Sequence, residues 1–251
     1  MNINVLPAIL ALNISIIMAV IFFLIYNTEK ASKEVKYLSM LCFATAIYVF
    51  GQIMLNDIRS AERAIFWHRF QHIGIIIIGP AWINFVFKYL DKEKNTFIPV
   101  MNWSSVVLMA LLYTTPFVIS AVPYKYAGIY IQGREGSLYY ILLALLVVAL
   151  FYGYFLLIKK YATNVNSRSY ELIMLIGIGS GIIFGIYDMI AVIRGGTGTT
   201  LFEYGLTFMC ISLMYSWIIG KGFYEKSILK KVFNRYISYP IIKRDDITLN
   251  A

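Results

Sequence analysis

Seven long apolar runs dominate the sequence and limit the chain to a membrane architecture. A helix that crosses the hydrocarbon core of a bilayer needs about 20 apolar residues. Hydrophobic residues make up 60% of the chain, and the mean hydropathy is +0.71. The runs predict an all-α, integral membrane seven-helix bundle. Their approximate bounds are Val5–Tyr26, Tyr37–Leu55, Ala64–Leu90, Trp103–Val122, Tyr139–Ile158, Tyr170–Ile193 and Leu201–Phe223.

The basic residues between the runs predict the orientation of the bundle. Lys and Arg concentrate on the cytoplasmic side of membrane proteins. Sixteen of them lie at or beyond the ends of the first, third, fifth and seventh runs, five lie on the opposite side, and Arg69 lies deep within the third run. We therefore expect an outer N-terminus and a cytoplasmic C-terminus in a multi-pass protein of the inner (plasma) membrane. The net charge of +9 is explained by this asymmetry, so the lipid bilayer is an expected partner and nucleic acid is not.

The third run carries most of the polar groups that could do chemistry. His68, Arg69, Gln71 and His72 lie in the first third of Ala64–Leu90. Ionisable groups at membrane depth are costly in lipid, so they usually face the bundle interior or a wet cavity. Spacings of three and four residues put Arg69, His68 and His72 on one face of a helix. The run therefore predicts a functional site in the outer half of the bundle.

Three polar residues on other helices are expected at the same depth. Counting about 1.5 Å per residue from the outer helix ends brings Gln52, Asp188 and Glu203 near this level. Gly177, Gly181 and Gly185 recur at a spacing of four on the sixth helix and predict close approach of a neighbouring helix. Asp188 follows Gly181 by seven residues, so it shares this face. We expect Asp188 to pair with Arg69, because an unpaired charge at this depth would cost more than a paired one.

The sequence leaves three interpretations of this polar cluster open. The cluster can be a structural network, a pocket for a small-molecule ligand open to the outside, or a metal site. His68, His72 and either Asp188 or Glu203 would be the metal ligands, but no HExxH motif occurs and the neighbouring Arg69 would repel a cation. No metal or cofactor is therefore predicted. Phosphate-binding loops, nucleophile elbows and paired-carboxylate hydrolase motifs are also absent from the sequence, so the chain alone is not expected to be an enzyme.

The two cysteines, Cys42 and Cys210, each fall within an apolar run. Free cysteine in such a setting usually behaves as a small buried hydrophobe. We interpret both in that way, since no disulfide framework is visible in their spacing.

The longest outer connection lies between the fourth and fifth runs, at Pro123–Leu138. Its tyrosines, Tyr124, Tyr126 and Tyr130, predict extended, hairpin-like structure over the mouth of the bundle. Such a segment fits either a lid or an interfacial aromatic belt.

The sequence beyond the seventh run keeps a helical pattern. Apolar residues recur there at spacings of three and four, as in a short two-helix seam. The pattern therefore predicts that a helical segment at 224–251 continues from the bundle at 1–223 and forms a homodimer through this seam. The predicted seam residues are Leu229, Val232, Phe233 and Tyr236.

The third run begins with aromatic residues and continues with a Gly-Ile step, a proline close to an aromatic residue, and Phe-x-x-x-Tyr. The residues at these positions are Trp67, Gly74, Pro80, Trp82, Phe85 and Tyr89. With this pattern the run resembles a known family, the N-terminal seven-helix sensor region of bacterial histidine kinases. The resemblance implies a sensor domain at 1–223 and, at 224–251, a signalling helix and a linker to an output domain. Such a receptor module regulates its cytoplasmic output domain, commonly a kinase of a two-component system. The tail from Val232 to Pro240 is similar to the segment that precedes class III nucleotide cyclase domains, which makes a cyclase the other output.

The expected function is that of a transmembrane sensory receptor module. It would bind a small extracellular or membrane-borne ligand in its outer half and regulate a histidine kinase or nucleotide cyclase. The alternatives are a small transporter or channel, for which the cluster would be a permeation site, and a metal-dependent membrane enzyme.

Overall fold

The computed structural model describes residues 6–29, 33–55, 58, 60–92, 95–126, 129–163, 169–193 and 201–217. Within them the chain is the predicted all-α bundle, with one two-stranded hairpin between the fourth and fifth helices. Five of the helices are long and apolar enough to cross a membrane, whereas the described apolar stretches of the last two are shorter. The elements are α1 (Leu6–Glu29), α2 (Lys33–Leu55), α3 (Ala61–Tyr89), α4 (Phe97–Thr114), β1 (Ile119–Tyr126), β2 (Ile129–Glu135), α5 (Tyr139–Thr163), α6 (Ser169–Ile193) and α7 (Leu201–Trp217).

Several predictions concern parts of the chain outside this description. The predicted boundary between 1–223 and 224–251 lies outside the described residues. The backbones of Asp188 and Glu203 belong to α6 and α7, but their side chains are outside the description. We retain the predicted orientation and call the end of the bundle that carries the hairpin the outer end. The predicted seam residues outside the described ranges are Leu229, Val232, Phe233 and Tyr236.

Helix α3 is the most enclosed of the long helices. In its most apolar 18-residue window 72% of the residues are buried, against 17% in α4 and 28% in α5. It packs against α2, α4, α5 and both strands of the hairpin. A helix with so little lipid-facing surface must find partners within the protein for every polar group it carries.

Close contact between α2 and α3 depends on two glycines. A Cβ at Gly51 would lie 2.7 Å from the Cβ of Gln71, and a Cβ at Gly74 would lie 2.5 Å from the carbonyl oxygen of Ala44. Each helix thus contributes one small residue that admits the other's backbone. Gly74 is one of the residues that carry the family resemblance, and this contact is a physical reason for a glycine there.

The glycine face predicted on α6 packs against α7. A Cβ at Gly177 would collide with the side chain of Ser212, and a Cβ at Gly205 of α7 would lie 3.1 Å from the Cα of Gly181. The predicted close approach of a neighbouring helix is therefore confirmed for Gly177 and Gly181.

The hairpin confirms the extended structure predicted for the outer connection. Its strands are antiparallel and pair Ile119 with Glu135 at the open end and Tyr126 with Ile129 at the turn. Backbone hydrogen bonds of 2.9 Å from Gly136 N–H to the Val118 carbonyl and 2.8 Å from Leu138 N–H to the Phe117 carbonyl fix the return of the chain.

The predicted bounds of the fourth helix, Trp103–Val122, are wrong at both ends. The helix begins at Phe97, whose backbone N–H donates to the Asn95 side-chain oxygen over 2.7 Å. It ends at Thr114, because the following Thr115 is extended (φ −138°, ψ 159°) and precedes Pro116, which disfavours helical geometry in the residue before it. The apolar run continues past this point only because the start of β1 is itself buried.

The α2–α3 contact predicts unequal effects of the same substitution at two helical glycines. Gly74→Ala places a methyl group against the Ala44 carbonyl, so we expect it to destabilise the bundle by about 1–3 kcal/mol. In Gly181→Ala the new methyl group lies 3.4 Å from its nearest atom, which is an ordinary contact. This variant also gains up to about 1 kcal/mol from the higher helix propensity of alanine. Unfolding of the purified variants in detergent measures the free energy of unfolding of each. Equal stability of the two variants would contradict the close packing at Gly74.

Candidate functional site

The two histidines of α3 form a buried pair in its outer half. His68 and His72 are 3% and 1% exposed, and their ring centroids lie 4.5 Å apart in an edge-to-face arrangement. Nδ1 of His72 lies 2.7 Å from the carbonyl oxygen of His68. Because a carbonyl only accepts hydrogen bonds, Nδ1 must carry the hydrogen. The other nitrogen of His72, Nε2, is buried and has no hydrogen-bond partner among the described residues.

Arg69 reaches the hairpin. Its terminal nitrogen donates a 3.3 Å hydrogen bond to the backbone carbonyl of Ile119, the first residue of β1. The Nε–H of the same guanidinium is buried and, in the described part of the chain, lacks a hydrogen-bond partner. The predicted pairing with Asp188 stays a prediction, since the Asp188 side chain is outside the described residues.

The predicted site residues divide between two faces of α3. His72 points toward α5, where its ring lies 5.5 Å from that of Tyr139. Gln71 packs instead against Gly51 of α2, the residue before the half-buried Gln52. The structure therefore brings His68, Arg69 and His72 together beneath the hairpin, and we call these three residues the polar face. Asp188 and Glu203 lie near the outer ends of α6 and α7 by backbone position.

Sequence reasoning missed two residues that border the polar face. Ile119 supplies the carbonyl that accepts from Arg69, and Tyr139 supplies the ring beside His72. Nothing in their residue types marks them, because one acts through its backbone and the other lies in an aromatic-rich segment. The signal that could have found Ile119 is Pro116, which ends α4 early and turns the rest of the apolar run into a strand.

An apolar cluster joins the polar face to three other elements. Ile119 is fully buried in this cluster, which also includes residues of α3, α4 and α5. Any movement of the start of β1 therefore disturbs the outer ends of these helices together. The members of this outer apolar cluster are Ile76, Leu108, Leu112, Val118, Ile119 and Leu142.

The inner half of α3 is occupied by packing contacts. Asn84 donates to the Asn102 side chain over 3.0 Å and to the Pro80 carbonyl over 2.8 Å, so it joins α3 to α4 as a packing residue. Trp82 donates to the Ala149 carbonyl over 3.2 Å. Trp82, one of the residues that carry the family resemblance, thus ties α3 to α5 at this end.

Tyr89 ends α3 at a contact with two other helices. Its hydroxyl donates to a carboxylate oxygen of Glu171 in α6 over 3.3 Å. The Nζ of Lys160, at the end of α5, lies 4.2 Å from the centre of its ring. The inner end of α3 is therefore tied directly to α5 and α6.

The described residues contain no group of three or more His, Cys, Asp and Glu side chains that could hold a metal ion. A cavity of about 20 Å³ lies in the centre of the bundle, with Trp82, Leu41 and Met209 in its lining. It is lined by apolar groups and does not include the polar face.

Comparison with known families identifies one match. The family model described as the N-terminal 7TM region of histidine kinase matches residues 9–222, which is most of the chain. A search of curated proteins finds no match.

The bond from Arg69 to Ile119 predicts that this side chain stabilises the hairpin. Arg69→Gln removes the charge and is too short to reach the carbonyl, so we expect the hairpin to lose about 1 kcal/mol. Amide hydrogen exchange in β1 and β2 should accelerate roughly fivefold, while Arg69→Lys should keep part of the protection.

Arg63→Gln is the matched control for this exchange experiment, because Arg63 is an exposed arginine in the first turn of α3. It should leave hairpin exchange unchanged. Equal exchange in the Arg69→Gln variant and the wild type would show that Arg69 does not hold the hairpin.

Proposed function

The chain belongs to the family of N-terminal seven-transmembrane regions of histidine kinases, and we propose that it binds a small molecule on the polar face beneath its hairpin. In this proposal the chain is a transmembrane sensory module whose ligand arrives from outside the cell or from the membrane. The observation that carries the proposal is that two buried atoms, His72 Nε2 and Arg69 Nε, have no hydrogen-bond partner within the described part of the chain.

These unused groups are one donor and one acceptor on the same side of α3. The Arg69 Nε–H can donate, and with Nδ1 protonated the His72 Nε2 can accept. A buried polar atom without a partner costs about 1–3 kcal/mol. A ligand that presents an acceptor to Arg69 and a donor to His72 would recover part of that cost, and the positive charge of Arg69 favours an anionic acceptor.

Binding at this position would compete with the hairpin for Arg69. A ligand that draws the guanidinium away from the Ile119 carbonyl weakens the attachment of β1 to α3. Ile119 belongs to the outer apolar cluster, so the outer ends of α4 and α5 would shift with it. A ligand acts in this way only if it binds more tightly to the arrangement in which Arg69 has left the Ile119 carbonyl than to the one in which the two are bonded.

The proposed route to the cytoplasm runs through α3 and α6 to α7. The inner end of α3 contacts Glu171 of α6 through Tyr89, and α6 packs closely against α7. Helix α7 leads toward the predicted signalling helix at 224–251, where a homodimer seam would pass the change to an output domain. The proposed output is a histidine kinase, with a nucleotide cyclase as the alternative indicated by the tail, and the proposed location is the inner membrane.

A thermal-shift screen tests the proposal. The purified chain in lipid nanodiscs is screened against small carboxylic acids, amino acids and phosphate esters, and the affinities of hits are measured for variants. We expect Arg69→Gln and His72→Phe to weaken binding by about 10- to 100-fold, the equivalent of one charge-assisted hydrogen bond. Asp188→Asn should also change the ligand response while the bundle remains folded.

Asn84→Ala is the control, because it removes a buried polar side chain from the inner half of the same helix. It should lower the melting temperature and leave affinity within about twofold. Variants of the polar face that bind as tightly as the wild type, or a screen without any shift, would contradict ligand binding at this face.

A further inference from the structure

The two cysteines of the chain meet in the core of the bundle. Cys42 lies on α2 and Cys210 on α7, and both are fully buried free thiols. Both belong to one buried core cluster between two helices that contact each other, and each thiol is a neighbour of the other. The chain contains only two cysteines, so this contact places every thiol of the protein at a single point.

Both thiols lie near the middle of the membrane. Cys42 is nine residues from the inner start of α2, and Cys210 is nine residues from the described outer start of α7. At 1.5 Å per residue each lies about 14 Å from its end of the bundle, close to the centre of a hydrocarbon core of about 30 Å. Charged oxidants dissolved in water do not reach this depth, whereas apolar oxidants dissolved in the bilayer do.

Two hydroxyl groups lie beside Cys210 in this otherwise apolar region. They belong to Ser15 and Thr45. The Thr45 hydroxyl donates to the Leu41 carbonyl over 3.0 Å, while the buried Ser15 hydroxyl lacks a hydrogen-bond partner in the described ranges. The Ser15 hydroxyl can therefore donate a hydrogen bond to the Cys210 sulfur when the S–H bond of Cys210 breaks.

We propose that Cys42 and Cys210 are a redox modification site that forms a reversible disulfide, with a membrane-soluble quinone as the oxidant. Two S–H bonds break and one S–S bond forms. The two electrons and two protons released pass to the two carbonyl oxygens of the quinone, which becomes a hydroquinone. A dithiol reductant reverses the step by thiol–disulfide exchange.

The central cavity gives the pair room to change its packing. Its lining includes Leu41 and Met209, the residues directly before Cys42 and Cys210, and also Leu206, one turn before Cys210. A disulfide requires Cα atoms about 4.4–6.8 Å apart. Apolar space of about 20 Å³ next to both helices allows the side chains around the pair to adjust as the bond forms.

The disulfide would change how α7 is held. Helix α7 packs mainly on α6 and α1 and only lightly on α2. A bond between Cys42 and Cys210 would fix α7 covalently to α2 and restrict the helix that leads toward the cytoplasm. This site does not depend on ligand binding at the polar face.

Oxidation of the wild-type chain tests the proposal without any variant. The purified chain in lipid nanodiscs is treated with tetramethylbenzoquinone. Its ring carries no hydrogen, so a thiol that adds to the ring cannot form a stable adduct through loss of a ring hydrogen. The remaining thiols are counted with a maleimide after denaturation. We expect both thiols to disappear together, a monomer lighter by two hydrogen atoms, and recovery of both thiols with dithiothreitol. Oxidised glutathione, which is charged and stays in water, should leave both thiols free.

A relocated thiol provides the matched control. The double variant Cys42→Ser, Phe43→Cys keeps two thiols but moves one to the exposed position of Phe43. Its intramolecular disulfide should form at least about tenfold more slowly, since the two thiols no longer face each other. Retention of both thiols in the wild type, a persistent quinone adduct, a disulfide between two chains, or equally fast oxidation of the relocated pair would each overturn the proposal.

Discussion

The burial of α3 in a membrane is the constraint on which the rest of the structure depends. A helix that is 72% buried over its most apolar window has little lipid or water to satisfy its side chains, so its neighbours must do so. Gly51 and Gly74 bring α2 close on one side. On the other side the hairpin covers the polar face and supplies the Ile119 carbonyl to Arg69. Two of the chain's distinctive features, its paired glycines and its outer hairpin, thus serve the same helix.

The two halves of α3 have different roles in this account. In the inner half, Asn84 and Trp82 have protein partners, and Tyr89 joins α3 to α6. In the outer half, Arg69 and His72 retain buried atoms that no described residue satisfies. Strain and unmet polar groups in natural proteins tend to gather at functional sites. The contrast within one helix therefore supports sensing at the outer end and structural support at the inner end.

The sequence predicted what depends on local pattern and missed what depends on tertiary contact. Apolar length identified the helices, the spacing of Gly177 and Gly181 identified the packed face of α6, and the tyrosine-rich connection identified the hairpin. The predicted end of α4 was wrong because Pro116 ends the helix within an apolar run. The last residues of that run are buried in a strand instead. The partner of Arg69 could not be predicted, because a backbone carbonyl leaves no mark in the residue type. The contact between Cys42 and Cys210 spans most of the chain and was equally hidden.

The free energy of unfolding of His72→Leu in the ligand-free chain tests the central claim most directly. If His72 is held for a ligand, its buried Nε2 costs stability in the absence of one. An apolar side chain of similar size should then raise the free energy of unfolding by about 1 kcal/mol. If the polar face is a structural network, the same substitution removes a needed hydrogen bond and lowers that free energy by about 1–3 kcal/mol. A destabilised His72→Leu variant would contradict the account.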